Sequence, residues 1–160
     1  MSAPSYIIAI PLLAIVAAAT FTDLRARRIP NALSLGGAAL GLLANATAFG
    51  STGVLVALLG WVLCLVCFLP FYVTGGMAAG DVKLMATVGA FLGPLGGFVA
   101  CAVALMAGGS LGGLYMVVRR RTALRRGASA MLEKIPYAAA IAVGATAAVL
   151  QPTWVTAFIN

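Results

Sequence analysis

The 160-residue chain contains no histidine, and only three of its residues are acidic: Asp23, Asp81 and Glu133. Without histidine there is no Ser–His or Cys–His catalytic pair and no zinc site of the histidine-containing kinds. Charge of any sign is scarce. Eight per cent of residues are charged and 63% are hydrophobic, whereas soluble domains carry roughly a quarter charged residues. The mean hydropathy of +1.11 points the same way. A soluble globular domain is excluded, and the length allows a single membrane-embedded domain over 1–160. Cysteine is sparse too. Cys64 and Cys67 form a "CLVC" pair in mid-span, but no second pair completes a four-thiolate site, so they read as small apolar fillers rather than metal ligands.

What charge there is has a pattern. The ten basic residues, within a net charge of +7, fall into Arg25/Arg27/Arg28 and Arg119/Arg120/Arg121/Arg125/Arg126/Lys134, with Lys83 apart. Basic clusters that abut apolar runs set membrane topology and attract anionic headgroups. No aromatics interleave with them, so nucleic acid is not an expected partner.

Hydrophobic segments are expected at Pro4–Thr22, Ala32–Phe49, Gly53–Val73, Val82–Leu92, Leu95–Val118 and Ile135–Phe158. The stretch from Val82 to Val118 is too long for one span, and "GPLGG" at Gly93–Gly97 supplies a turn. Dividing it there places both basic clusters and Lys83 on one side, as the positive-inside rule requires. Val82–Leu92 would then be only about 16 Å long at 1.5 Å per residue. It must borrow residues from the preceding loop or be shielded by its neighbours. The expected fold is all-α and polytopic, with about six transmembrane helices, one of them short, and both termini outside the cytoplasm. The first segment has no basic residues before it and therefore reads as an uncleaved span rather than a signal peptide.

Asp23 follows the first segment and Asp81 precedes the fourth, so in this topology both sit at the cytoplasmic membrane boundary. A carboxylate near the bilayer is a functional hypothesis by default. Two that approach within a few ångströms share a proton and so provide one acid and one base near neutral pH. Taken singly, each has a plain reading: Asp23 as a helix-end partner of Arg25 or Arg27, Asp81 as the N-cap of "VKLMATVGAF". The same aspartates would serve a small proton-coupled transporter or channel, and a scaffold of a secretion complex would need neither.

Three fragments in order, "DLRARRIPN", "AAGDVKLMATVGAFLGP" and "KIPYAAAI", with the spans between them, resemble the prepilin peptidases. These are membrane aspartic proteases that trim type IV pilin precursors. The resemblance covers essentially the whole chain and implies a bacterial inner-membrane, multi-pass aspartic endopeptidase. Asp23 and Asp81 match the two catalytic aspartates, with Gly80 and Lys83 in supporting positions. Gly80 is the last glycine of the family's Gly-x-Gly-Asp signature. The first is replaced by Ala78, which resists the positive φ that a sharp bend needs; Gly75, Gly76 and Gly80 remain to supply it. Pro30 and Asn31 are expected to set a helix start, and Pro136 and Tyr137 to pack.

The resemblance further implies a prepilin substrate with a basic leader and an apolar helix, cut at the cytoplasmic face after a glycine. Neither a cofactor nor a metal is called for. Larger relatives carry a four-cysteine amino-terminal extension and an N-methyltransferase activity. This chain opens on its first span and looks like the short, peptidase-only form that serves Flp (tight-adherence) pili. Anionic lipid is the expected partner of the 119–134 region, and pilus assembly components are further candidates.

Overall fold

A computed structural model of the protein describes residues 3–26, 29–126 and 137–150. All regular structure among them is helical: α1 (Ala3–Ala26), α2 (Asn31–Val73), α3 (Ala79–Arg126) and α4 (Tyr137–Leu150). Three stretches, Tyr6–Ala26, Asn31–Val73 and Ala79–Ser110, are long and apolar enough to cross a membrane. Large apolar side chains such as Leu35, Leu43, Leu55, Leu59, Phe98 and Met106 lie exposed on their outer faces. A surface of this kind has lipid as its solvent, and inside lipid a helix is the one open structure that satisfies its own backbone.

Neither long helix is straight. Gly50 (φ 64°, ψ −143°) and Gly93 (φ 69°, ψ −173°) leave helical geometry inside α2 and α3, in a region of backbone space that is essentially glycine's own. At both the chain doubles back. A Cβ built on Gly97 would lie 3.2 Å from the Cα of Gly89, although residues eight apart in a straight helix are separated by about 12 Å. Gly53 meets the carbonyl of Asn45 in the same way. Pro94 follows the second break, at a first helical position where its missing N–H costs nothing. The described residues therefore form six helical segments, with turns where "GST" and "GPLGG" announce them. The segment expected to end at Phe158 is described only as far as Leu150, and both chain termini lie outside the described residues.

The short segment at the start of α3 is both lengthened and shielded. It begins at Ala79, and every residue from Asp81 to Gly93 except Lys83 is buried. Glycines allow the neighbouring backbones to come close. A Cβ on Gly60 would strike the Gly89 carbonyl and the Gly93 backbone, and one on Gly41 would meet Phe91 and Ala90. Small residues at helix contacts are the usual route to close packing in lipid, where burial of apolar surface supplies no drive. Cys64 fills the space between Gly89 and Gly97, so it acts as the expected apolar filler.

Gly93 sits beside Gly60, about 15 Å along α2 from the turn at Gly50. The second turn therefore lies deeper in the protein than the first. A helix end held there has carbonyls that water cannot reach. Asn45, fully buried, answers this: its Nδ2 donates to the carbonyls of Ala90 (3.0 Å) and Phe91 (3.2 Å), and also to Gly41 in its own helix (3.0 Å).

Candidate active site

The loop before α3 begins with a glycine cap on α2. Thr74 is the C-cap and Gly75 takes φ +76°. The N–H of Gly76 donates to the Phe71 carbonyl (2.9 Å) and that of Gly75 to Tyr72 (3.0 Å), the paired bonds of a Schellman motif. Gly75 thus carries the bend that Ala78 would resist. Ala78 has another task. Its carbonyl accepts from the N–H groups of Asp81 (3.1 Å) and Val82 (3.4 Å), so Ala78 is the N-cap residue of α3. Asp81 is not the N-cap. It stands in the first helical turn, where the exposed N–H dipoles of a helix start favour a carboxylate. It is buried, at 6% exposure. Gly80 faces Ile29, with only 3.3 Å left for a Cβ, so its lack of a side chain lets the α1–α2 link lie against α3.

Asp23 is half-buried in the last turns of α1, which continues past the expected end at Thr22 to Ala26. Three residues earlier, Thr20 donates from Oγ1 to its own helix at Val16 (2.8 Å) and reaches the Ala138 carbonyl of α4 (3.4 Å). Residues three apart share a helix face, so Asp23 projects from the side of α1 that meets the start of α4. That start bears Tyr137, whose ring and hydroxyl lie over Gly108 of α3. The end of α1 and the starts of α2, α3 and α4 accordingly gather at one end of the bundle, and both aspartates belong to that end. Beyond Gly108 the α3 backbone carries Arg119–Arg126 further in the same direction. Arg27, Arg28, Glu133, Lys134 and Pro136 lie outside the described residues.

Lys83, two residues after Asp81, points elsewhere. Its Nζ donates to Asn31 Oδ1 across 3.1 Å and so fastens the start of α3 to the start of α2. Pro30 is the N-cap of α2, as expected, with φ −60° and ψ 137°. A second rung follows at Thr87, which donates to the Ser34 carbonyl (2.7 Å), and Asn45 forms the third. Sequence reasoning did not single out Ser34, Asn45 or Thr87. All three are buried polar residues in apolar helices, which is the signal that would have found them. Among the described residues no group of three or more histidine, cysteine or acidic side chains is arranged to hold a metal ion.

With two carboxyl groups and a phenol at one end of a lipid-facing bundle, the chemistry on offer is proton transfer to and from a bound molecule. A family model described as the type IV leader peptidase family matches residues 10–117. No curated protein and no solved structure matches the chain.

Proposed function

The chain belongs to the type IV leader peptidase family, and from that premise we propose that Asp23 and Asp81 are its acid–base pair. The observation that carries this reading is the position of Asp81. It is a buried carboxyl at the start of a helix enclosed by protein, at the same end of the bundle as the face of α1 that bears Asp23. A bilayer tolerates an ionisable group where it faces the bundle interior. One carboxylate takes a proton from water as the oxygen attacks the scissile carbonyl. The other, protonated, donates to the carbonyl oxygen. When the tetrahedral intermediate collapses, the first returns its proton to the departing amine, and the second is reprotonated from the new hydroxyl groups. A coupled pair exchanges these roles freely, so neither aspartate owns one.

The six helical segments are read as six crossings, with the Asp23/Asp81 end and the arginines of α3 on the cytoplasmic side of a bacterial inner membrane. The substrate in this reading is a pilin precursor of the Flp type, its basic leader cytoplasmic and its apolar helix in lipid. Peptidase activity without methyl transfer is proposed. The arginines on α3 are assigned to anionic headgroups, with pilus assembly components as further partners. Nothing in the fold or the family match favours a proton-coupled transporter over hydrolysis.

Co-expression with a candidate pilin precursor tests the reading. Wild-type protein should shorten the precursor. Asp23→Asn and Asp81→Asn should each insert normally and leave it full length, a loss of at least about 10³-fold, as expected when a member of a concerted catalytic unit is removed. Full processing by either variant would falsify the dyad.

A further inference from the structure

Tyr137 is placed by two neighbours that have no part in the proposed chemistry. A Cβ at Gly108 would fall on its ring and 2.8 Å from its hydroxyl oxygen, so this glycine is the floor on which the ring lies. One residue on, the Ala138 carbonyl receives Thr20 Oγ1, which ties the start of α4 to the face of α1 that carries Asp23 one turn further along. Asp81 lies twelve residues before the reversal at Gly93 and Gly108 fifteen after it, so the hydroxyl over Gly108 stands at nearly the level of Asp81 along the bundle. The ring is only half-buried, so part of the side chain remains accessible to a bound molecule. Packing explains the ring. It does not explain why a hydroxyl should stand where the two aspartate-bearing helices converge.

We infer that Tyr137 is a further catalytic residue, its phenol donating a hydrogen bond to the carbonyl oxygen of the scissile peptide. This rests on the peptidase reading above and deepens it. As water adds to the carbonyl carbon, negative charge builds on that oxygen, and a fixed neutral donor in a site shielded from water stabilises it more than a solvated one would. A chain without histidine has few groups for this task. An arginine or lysine would bring a full charge, whereas a phenol stays neutral at physiological pH, well below its ordinary pKa of about 10. The proton stays on tyrosine, so the bookkeeping of the aspartate pair is unchanged.

Steady-state cleavage of a precursor peptide by the purified full chain in lipid vesicles decides the matter, with Asp81→Asn as the inactive control. Tyr137→Phe keeps the ring over Gly108 and removes only the donor. It should lower kcat by about 10²-fold, the usual effect of deleting one oxyanion donor, with KM and the thermal midpoint unchanged. A Tyr137→Phe protein with wild-type kcat, in a preparation where Asp81→Asn is dead, overturns the inference and leaves the peptidase reading standing. Wild-type protein that cuts no precursor takes both down. If phenylalanine lowers the thermal midpoint, difluorotyrosine at position 137 preserves ring and hydroxyl while making the donor more acidic: an altered kcat supports the donor role, and an unaltered one overturns it.

Discussion

Gly50 and Gly93 break their helices with nearly the same backbone angles, φ 64° and 69°, but in opposite surroundings. Gly50 is exposed, and a methyl group there would meet nothing within 4 Å. Gly93 is buried against Gly60. The first turn can leave the satisfaction of its helix ends to water. The second cannot, and the protein places Asn45 beneath it to take the carbonyls of Ala90 and Phe91. Depth is what separates the two. A helix that stops inside the bundle is surrounded by protein rather than lipid, and that is the setting in which a carboxyl such as Asp81 can start a helix at modest cost. The α2 hairpin shows the other arrangement: long segments with leucines and valines facing outward and no charged side chain from Asn31 to Val73.

If the buried turn depends on close backbone approach, the largest effect on stability should come from closing the gap at Gly60. Gly60→Val pushes its first carbon into the Gly89 carbonyl and the Gly93 backbone, none of which is a movable side-chain tip. A destabilisation of about 3 kcal/mol, at the upper end of ordinary overpacking, is expected, read as a lowered thermal midpoint in detergent. A midpoint equal to the wild type would mean that α2 and α3 do not pack through these glycines.

Next in size is Asn45→Leu, which keeps the volume and removes the amide. Two carbonyls at the end of a buried helix would lose their donor, at a cost of about 2 kcal/mol from the desolvation of unpaired groups. The cost is reduced because Asn45 Oδ1 has no hydrogen-bond partner among the described residues, so the amide is itself only half satisfied. The same change at Thr47, on the exposed surface of the same segment, should move the midpoint little.

Much of this contrast was readable from the chain, for physical reasons. "GST" and "GPLGG" mark the two reversals because glycine and proline act locally, and the clustering of basic residues predicted one common end for Asp23 and Asp81. The depth of the second turn was not readable, because it depends on Gly60 meeting Gly89, a match between segments about thirty residues apart that no local rule encodes. The Ser34–Thr87 and Asn45–Ala90 rungs were missed for the same reason. The plain reading of Asp81 as an N-cap, a role that suits aspartate, does not hold, because the helix starts earlier, with Ala78 as the cap and Gly75 carrying the bend. Tyr137 was assigned to packing, which describes its ring over Gly108. The position of its hydroxyl depends on where α4 meets α1, a relation between distant segments.

The smallest predicted effect isolates backbone strain from packing. Gly50→Ala adds one methyl group in open space, so no neighbour resists it. What remains is the cost of holding an alanine at φ 64°, ψ −143°, about 1 kcal/mol and near the lower end for such strained conformations because an exposed turn can relax. The thermal midpoint should fall slightly and cleavage of a pilin precursor should stay at the wild-type rate, since the turn is remote from the end that holds both aspartates. Gly93→Ala imposes the same kind of backbone strain at the buried turn that ends the helix bearing Asp81, so its midpoint should fall further and its cleavage rate should drop with it. Equal midpoints for the two alanine variants would show that depth does not distinguish the turns.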